Sequence, residues 1–99
     1  MAENPLKVFE KLDPELLKLV DNTKALALND GALPRKIKLL MAMALDASQG
    51  TAEGVMSLAQ QALNAGATKE EIMETIRVAQ YICGVGCVYT AAHAFKEVF

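Results

Sequence analysis

Two cysteines near the end of the chain are the residues with the most evident chemistry. Cys83 and Cys87 are four residues apart, and Gly84 and Gly86 lie between them. Glycine weakens a helix, so we expect one helix to end near Gly84 and the next to begin near Cys87. A thiol in the first turn of a helix ionises more readily, and flexible glycine backbone would let the two sulfur atoms meet. The pair could therefore be a redox couple, or both could be small buried apolar residues.

The position of Cys83 favours the second interpretation. Cys83 continues a stripe of apolar residues at helical spacing that contains Ile72, Ile76 and Ala79. We therefore expect the Cys83 thiol to be buried and poorly accessible.

One histidine and a few cations are the other groups that could act on a substrate. His93 could be a general acid or base, but it lies about 240° around the last helix from Cys87, so the two cannot easily pair there. Lys38, Arg35 and Arg77 could hold a substrate carboxylate, as decarboxylation would require. The alternative is that His93 is a surface or interface histidine and that the three cations are solvated charges on helix surfaces.

Helix signals account for almost the whole chain, and no strand is indicated. Capping residues and apolar spacing predict six helices, over about 6–12, 14–29, 34–47, 51–65, 68–83 and 87–97. The third of them is apolar in nearly every direction around its axis. A helix of this kind is buried on all sides, so we expect it at the domain centre and in contact with another subunit.

The corner between the fourth and fifth helices carries the most specific local signals. Gly66 fits the left-handed position that follows a helix end. Thr68 and Glu71 have the spacing of a capping box, in which each side chain bonds the backbone N–H of the other. Ala67 and Ile72 flank this box as a hydrophobic staple does.

Length and composition indicate one small domain that is rich in apolar residues. The chain has 99 residues, of which 53% are hydrophobic and 22% charged, and its net charge is −2. A domain of this size covers only part of its apolar surface, which suggests a homo-oligomer. No basic block, membrane-length apolar run or signal peptide is evident, so we expect a cytoplasmic protein that binds neither nucleic acid nor membrane. Its cysteines would be free thiols, and its few His and Cys residues predict no metal site and no cofactor.

Residues 33–99 resemble the carboxymuconolactone decarboxylase-like family, which includes the alkylhydroperoxidase D-like proteins. Three segments carry the resemblance. They are a basic start to an apolar helix (LPRKIKLL, 33–40), a helix–corner–helix (ALNAGATKEEI, 62–72) and a closing turn (VAQYICGVG, 78–86).

This resemblance implies an all-α domain of five to six helices. It also implies assembly as a dimer, trimer or hexamer, in agreement with the excess of apolar residues. We expect one domain over residues 1–99, with N-terminal helices at 1–32 and the family core at 33–99.

The resemblance does not extend to the thiol site of the family. Peroxidase-type members carry a Glu, a Cys-x-x-Cys pair and a His. Counted back from Gly66, these positions fall on Leu39, Thr51, Gly54 and Leu58. None of the four side chains can supply a reactive thiol or a proton relay, so the usual site is absent.

Three functional hypotheses remain open. The resemblance favours a thiol-dependent, peroxidase-type oxidoreductase with a relocated pair, Cys83 and Cys87. The alternative is a lactone decarboxylase-like enzyme, with Lys38, Arg77 or His93 around an apolar pocket for a small molecule. The third is a non-catalytic oligomeric binding protein that has kept the fold.

Overall fold

The structure, a computed structural model, describes residues 4–99, in which every regular element is a helix and none is a strand. In chain order the elements are a 3-10 helix at Pro5–Val8, α1 at Phe9–Leu12, α2 at Pro14–Leu28, α3 at Arg35–Ser48, α4 at Ala52–Asn64, α5 at Lys69–Cys83 and α6 at Gly86–Phe95. The expected all-α fold is therefore confirmed. Residues 1–3, on which the expectation of no signal peptide partly rests, lie outside the described residues.

Acidic side chains cap the N termini of α2 and α3. The Leu16 N–H donates to Asp13 Oδ1 at 3.0 Å, and the Arg35 N–H donates to Asp30 Oδ1 at 2.6 Å. Each carboxylate satisfies a free N–H and lies at the positive end of the helix dipole. The second bond offsets the basic first turn of α3, which contains no acidic residue of its own.

The core lies where α3, α4, α5 and α6 meet. Its largest fully buried side chains are Leu39 and Met43 of α3, Val55 of α4 and Ile72 of α5. Alanines fill much of the remaining contact, which lets the helices approach closely. The buried alanines are Ala47, Ala59, Ala62, Ala67, Ala79, Ala91 and Ala94.

Helix α3 is covered on one side only within the chain. Leu39 and Met43 are fully buried, but Met41 is 50% exposed and Leu45 is 62% exposed. Within residues 4–99 the other core helices therefore cover one side of α3, and burial of the other side would require another subunit. Its contact with another subunit stays a prediction.

The corner between α4 and α5 has the expected construction. Gly66 has φ +98°, and α4 ends in a Schellman motif, since the Ala67 N–H donates to the Ala62 carbonyl at 2.8 Å. The capping box is complete: Glu71 N–H donates to Thr68 Oγ1 at 3.1 Å, and Thr68 N–H donates to Glu71 Oε1 at 2.8 Å. The Ala67 side chain is buried in the core cluster, as is the Ile72 side chain on the other side of the box.

Candidate functional site

The predicted helix break between the two cysteines is confirmed. Cys83 is the last residue of α5, and Gly84 follows with φ +84°, a conformation that favours glycine. Helix α6 begins at Gly86, so Cys87 lies in its first turn. Both cysteines are free thiols.

The exposure of the Cys83 thiol is contrary to what the apolar stripe indicated, whereas Cys87 is buried. Cys83 is exposed, whereas Cys87 is 3% exposed and its thiol donates to the Gly84 carbonyl, with the sulfur 3.2 Å from the oxygen. The stripe itself is real, because Ile72, Ile76 and Ala79 are buried. The expectation for Cys83 is wrong because this residue ends the helix, beyond the point at which the core covers α5.

His93 lies on the exposed surface of α6 and is far around the helix from Cys87. Its ring is exposed and forms no hydrogen bond or ion pair with any residue of 4–99. The structure thus does not join His93 to Cys87 within one chain.

The two lysines near the start of α3 bond to groups at the ends of neighbouring helices, Lys38 at the end of α2 and Lys36 at the start of α5. Lys38 Nζ donates to the Asn29 carbonyl at 2.8 Å, which places a cation at the negative end of α2. Lys36 Nζ lies 3.1 Å from Glu71 Oε2 and so ties α3 to the α4–α5 corner. The backbone N–H of Thr68 and then the Lys36 ammonium hold the pKa of Glu71 below its ordinary value. Sequence reasoning missed the Lys36 contact, because it joins residues 35 positions apart.

Arg77, by contrast, lines an open groove between α5 and α6. The groove has a volume of about 340 Å³, and its other lining residues are Met73, Ile76, Gln80 and Val88. Arg77 is exposed, and its guanidinium forms no ion pair with the described residues. Sequence reasoning proposed Arg77 but missed the groove. The available signal was the spacing of residues 73, 76, 77 and 80, which places them on one side of a helix.

The outer end of the groove is charged. A smaller cavity of about 300 Å³ shares Met73 and Arg77 with it and is also lined by Lys69, Glu70 and Glu74. Two carboxylates therefore lie at the edge of the groove, on the same helix as Arg77. Lys38 and Arg35 line neither cavity, so the structure does not bring the three predicted carboxylate-binding cations together.

The model of the carboxymuconolactone decarboxylase family matches residues 14–97. The chain belongs to this family. The apo crystal structure of a carboxymuconolactone decarboxylase family protein from Legionella pneumophila is 34% identical and has a TM-score of 0.86 to this chain. The similarity covers 92% of this chain and 81% of that one. No curated protein gives a significant match.

The positions at which peroxidase-type members of the carboxymuconolactone decarboxylase family would carry reactive groups are apolar or small here. Leu39 is fully buried, Leu58 is half-buried against the core, and Thr51 is exposed. At Gly54, a Cβ atom would lie 2.8 Å from the Cγ atom of Asp46. A cysteine side chain at this position would therefore displace the Asp46 carboxylate.

Residues 4–99 contain neither a membrane-spanning helix nor a cluster of metal-binding side chains. None of the helices in this range has the length and apolar content needed to cross a membrane. The same residues include no group of three His, Cys, Asp or Glu side chains placed to hold a metal ion.

Proposed function

We propose that this chain binds a small apolar molecule with one carboxylate in the α5–α6 groove, as a decarboxylase-like member of its family. The observation that carries the proposal is the position of Arg77 in an otherwise apolar groove. Met73, Ile76 and Val88 supply apolar surface for the body of the ligand. The Arg77 guanidinium, which has no ion-pair partner among residues 4–99, can receive its carboxylate in a two-pronged hydrogen-bonded contact.

The size and charge of the groove define the ligand further. A volume of about 340 Å³ lies at the lower end of the range of small-molecule sites, roughly 300–1,000 Å³. Glu70 and Glu74 at its outer end would repel a second anionic group. We therefore expect a monocarboxylate, with the Gln80 amide as the additional polar contact.

The test compares an arylalkyl carboxylate with its primary amide by isothermal titration calorimetry. We expect the carboxylate to bind about tenfold more tightly, as a charge-assisted hydrogen bond would provide. Arg77→Gln should remove this preference. Arg35→Gln is the matched control, because Arg35 is the other arginine of the chain and does not line the groove.

Equal affinity for the two ligands, or the same loss in both variants, would contradict the proposal. The same samples are then assayed for carbon dioxide release from a lactone carrying a carboxylate. Release that depends on Arg77 would favour the decarboxylase-like function, and binding without release would favour the non-catalytic binding protein.

A second candidate function is thiol oxidation at the relocated pair, and the break at Gly84 favours it. With Cys83 exposed, its sulfur would attack the peroxide. The S–O bond forms and the O–O bond breaks, which yields a sulfenic acid and an alcohol. The Cys87 thiol would then displace the hydroxyl group and release water, leaving a disulfide for a dithiol reductant to restore. The burial of Cys87 opposes this step unless the corner opens.

Intact mass after mild peroxide treatment tests this second function. A disulfide gives a loss of two hydrogen atoms in the native protein, and Cys83→Ser or Cys87→Ser should abolish it. Cys87→Ser should also trap one added oxygen on Cys83, whereas Cys83→Ser should gain none. No mass change in the native protein, together with full thiol labelling in denaturant, would exclude the function.

A further inference from the structure

An open polar cavity lies between the start of α3 and the end of α4, and it shares no lining residue with the α5–α6 groove. Its volume is about 380 Å³, and it is lined by Arg35, Gln61, Asn64 and Ala65. We propose that this cavity, called the α3–α4 cavity, is a second ligand site that binds the phosphate group of a small hydrophilic phosphomonoester. This inference goes beyond the proposed carboxylate site and does not depend on it.

Arg35 differs from the other two cations near the start of α3 because its side chain has no partner within residues 4–99. Lys36 binds Glu71 and Lys38 binds the Asn29 carbonyl. The half-buried Arg35 guanidinium forms no hydrogen bond or ion pair with the described residues. A cation in the first turn of a helix also opposes the helix dipole, so Arg35 does not stabilise α3. Binding of an anion gives this side chain a role that its own chain does not.

The end of α4 does not occupy the guanidinium either. Cations beside a helix C terminus commonly bond its last carbonyls. Here the carbonyls of Gln61, Ala62 and Leu63 accept hydrogen bonds from the backbone N–H groups of residues 65–67. The Arg35 guanidinium therefore faces the α3–α4 cavity with its donors available to a ligand.

The donors around the α3–α4 cavity suit a phosphate group better than a carboxylate. The guanidinium can bond two oxygens of either group as a planar fork, and both oxygens of a carboxylate then lie in the plane of that fork. A phosphate group has a third oxygen outside the plane, which the carboxamides of Gln61 and Asn64 can reach. Gln61 uses one N–H on Ser57 Oγ at 3.1 Å and keeps the other, and the Asn64 side chain has no partner within residues 4–99. No carboxylate lines the cavity to repel the anion.

The rest of the lining indicates a small and hydrophilic body for the ligand. Ala65 is the one apolar residue among the four that line the cavity, so an arylalkyl group of the kind expected in the α5–α6 groove would find little apolar surface. The volume lies near the lower end of the range of small-molecule sites, roughly 300–1,000 Å³. We therefore expect a phosphate group on a short hydroxylated carbon chain.

Heteronuclear NMR of the isotope-labelled protein, titrated with glycerol phosphate, tests the site. We expect saturable shifts of the side-chain N–H signals of Arg35, Gln61 and Asn64, and no saturable shift with glycerol. Lactate, a small hydroxylated carboxylate, should bind about tenfold more weakly, because it lacks the third oxygen for a charge-assisted hydrogen bond.

Two substitutions of Arg35 separate its charge from its shape. Arg35→Gln should raise the dissociation constant for glycerol phosphate by about tenfold or more, through the loss of charge-assisted hydrogen bonds. Arg35→Lys should raise it nearly as much, because the ammonium keeps the charge but not the fork. The matched control is Lys24→Gln, which removes one exposed cation of α2 that does not line the cavity and should leave the constant unchanged. Thermal unfolding checks that each variant keeps the stability of the unsubstituted protein.

The absence of any saturable shift would overturn the proposal, as would an equal loss of affinity in Arg35→Gln and Lys24→Gln, which would indicate attraction to overall charge. Shifts confined to signals outside the α3–α4 cavity would also overturn it. Equal affinity for lactate and glycerol phosphate would overturn the assignment to phosphate. None of these outcomes concerns Arg77, whose groove is tested with the arylalkyl carboxylate.

Discussion

The corners at the two ends of α5 each contain a glycine with positive φ but are held in different ways. At the α4–α5 corner, Gly66 is followed by a buried Ala67, and the Thr68–Glu71 capping box closes the start of α5. At the α5–α6 corner, Gly84 is followed by Val85, which is 61% exposed and provides no side-chain cap for α6.

The difference indicates what each corner does. Side-chain hydrogen bonds, buried apolar groups and the Lys36–Glu71 ion pair all act on the α4–α5 corner, so it fixes how α4 and α5 pack. The α5–α6 corner is held by few such contacts, and the two candidate redox residues, Cys83 and Cys87, flank it. Segments held by few buried contacts open locally at low free-energy cost.

Apolar side chains at the two corners should give the largest contrast in the free energy of unfolding. Ile72→Ala removes a fully buried side chain and should destabilise the protein by about 2–5 kcal/mol. Val85→Ala removes an exposed one and should change the free energy of unfolding by no more than about 0.5 kcal/mol. Urea unfolding of the two variants measures both changes. Comparable losses would mean that the two corners are equally packed.

Valine at Gly66 or at Gly84 should destabilise the protein by less than Ile72→Ala does. The two substitutions should still differ from each other in their effect. Around both Gly66 and Gly84 a Cβ atom would have no neighbour within 4 Å, so the cost is backbone strain of about 1–3 kcal/mol without a clash. We expect Gly66→Val near the upper end, because the Schellman bonds and buried Ala67 prevent relaxation. Gly84→Val should lie near the lower end despite the ψ of −174° at Gly84, because few buried contacts hold this corner and its backbone can relax. Thermal unfolding checks the order, and a larger effect at Gly84 would reverse the comparison.

These corners also explain how much could be predicted from the sequence. The capping box, Gly66 and the break at Gly84 depend on residues close in the chain, so their spacing was sufficient. The exposure of Cys83 depends on where the core stops covering α5, which no local pattern contains. The groove beside Arg77 likewise requires α6 to bring Val88 against α5.

Loss of the side-chain cap of α5 should destabilise the protein by less than the upper estimate for either glycine substitution. Thr68→Ala removes the acceptor of the Glu71 N–H and should cost about 1 kcal/mol. The matched control is Thr90→Ala in α6, where the hydroxyl only donates to the Gly86 carbonyl four residues back. Bonds of that kind do not stabilise helices, so we expect little change. Equal losses in the two variants would show that the hydroxyl of Thr68 has no capping role.

Acid sensitivity at the α4–α5 corner should be the smallest effect. The Thr68 N–H and the Lys36 ammonium stabilise the Glu71 carboxylate, so its pKa in the folded protein lies below the ordinary 4.5. The unfolded chain therefore binds this proton more tightly than the folded one, and stability from Glu71 is complete above about pH 4.5 and is lost as the pH falls through the folded pKa.

Unfolding free energies measured between pH 7 and pH 3 test this, with Glu71→Gln and Glu74→Gln compared. Glu71→Gln removes one titrating carboxylate whose proton affinity differs between the two states, so the loss of stability toward pH 3 should become shallower. Glu74 is exposed and forms no hydrogen bond or ion pair within residues 4–99, so Glu74→Gln should leave that loss unchanged. The α5–α6 corner contains no carboxylate between Cys83 and Cys87, so this dependence belongs to the α4–α5 corner alone. If the loss of stability toward pH 3 is as steep in Glu71→Gln as in the unsubstituted protein, the capping box and the Lys36 contact do not lower the pKa of the Glu71 carboxylate in solution.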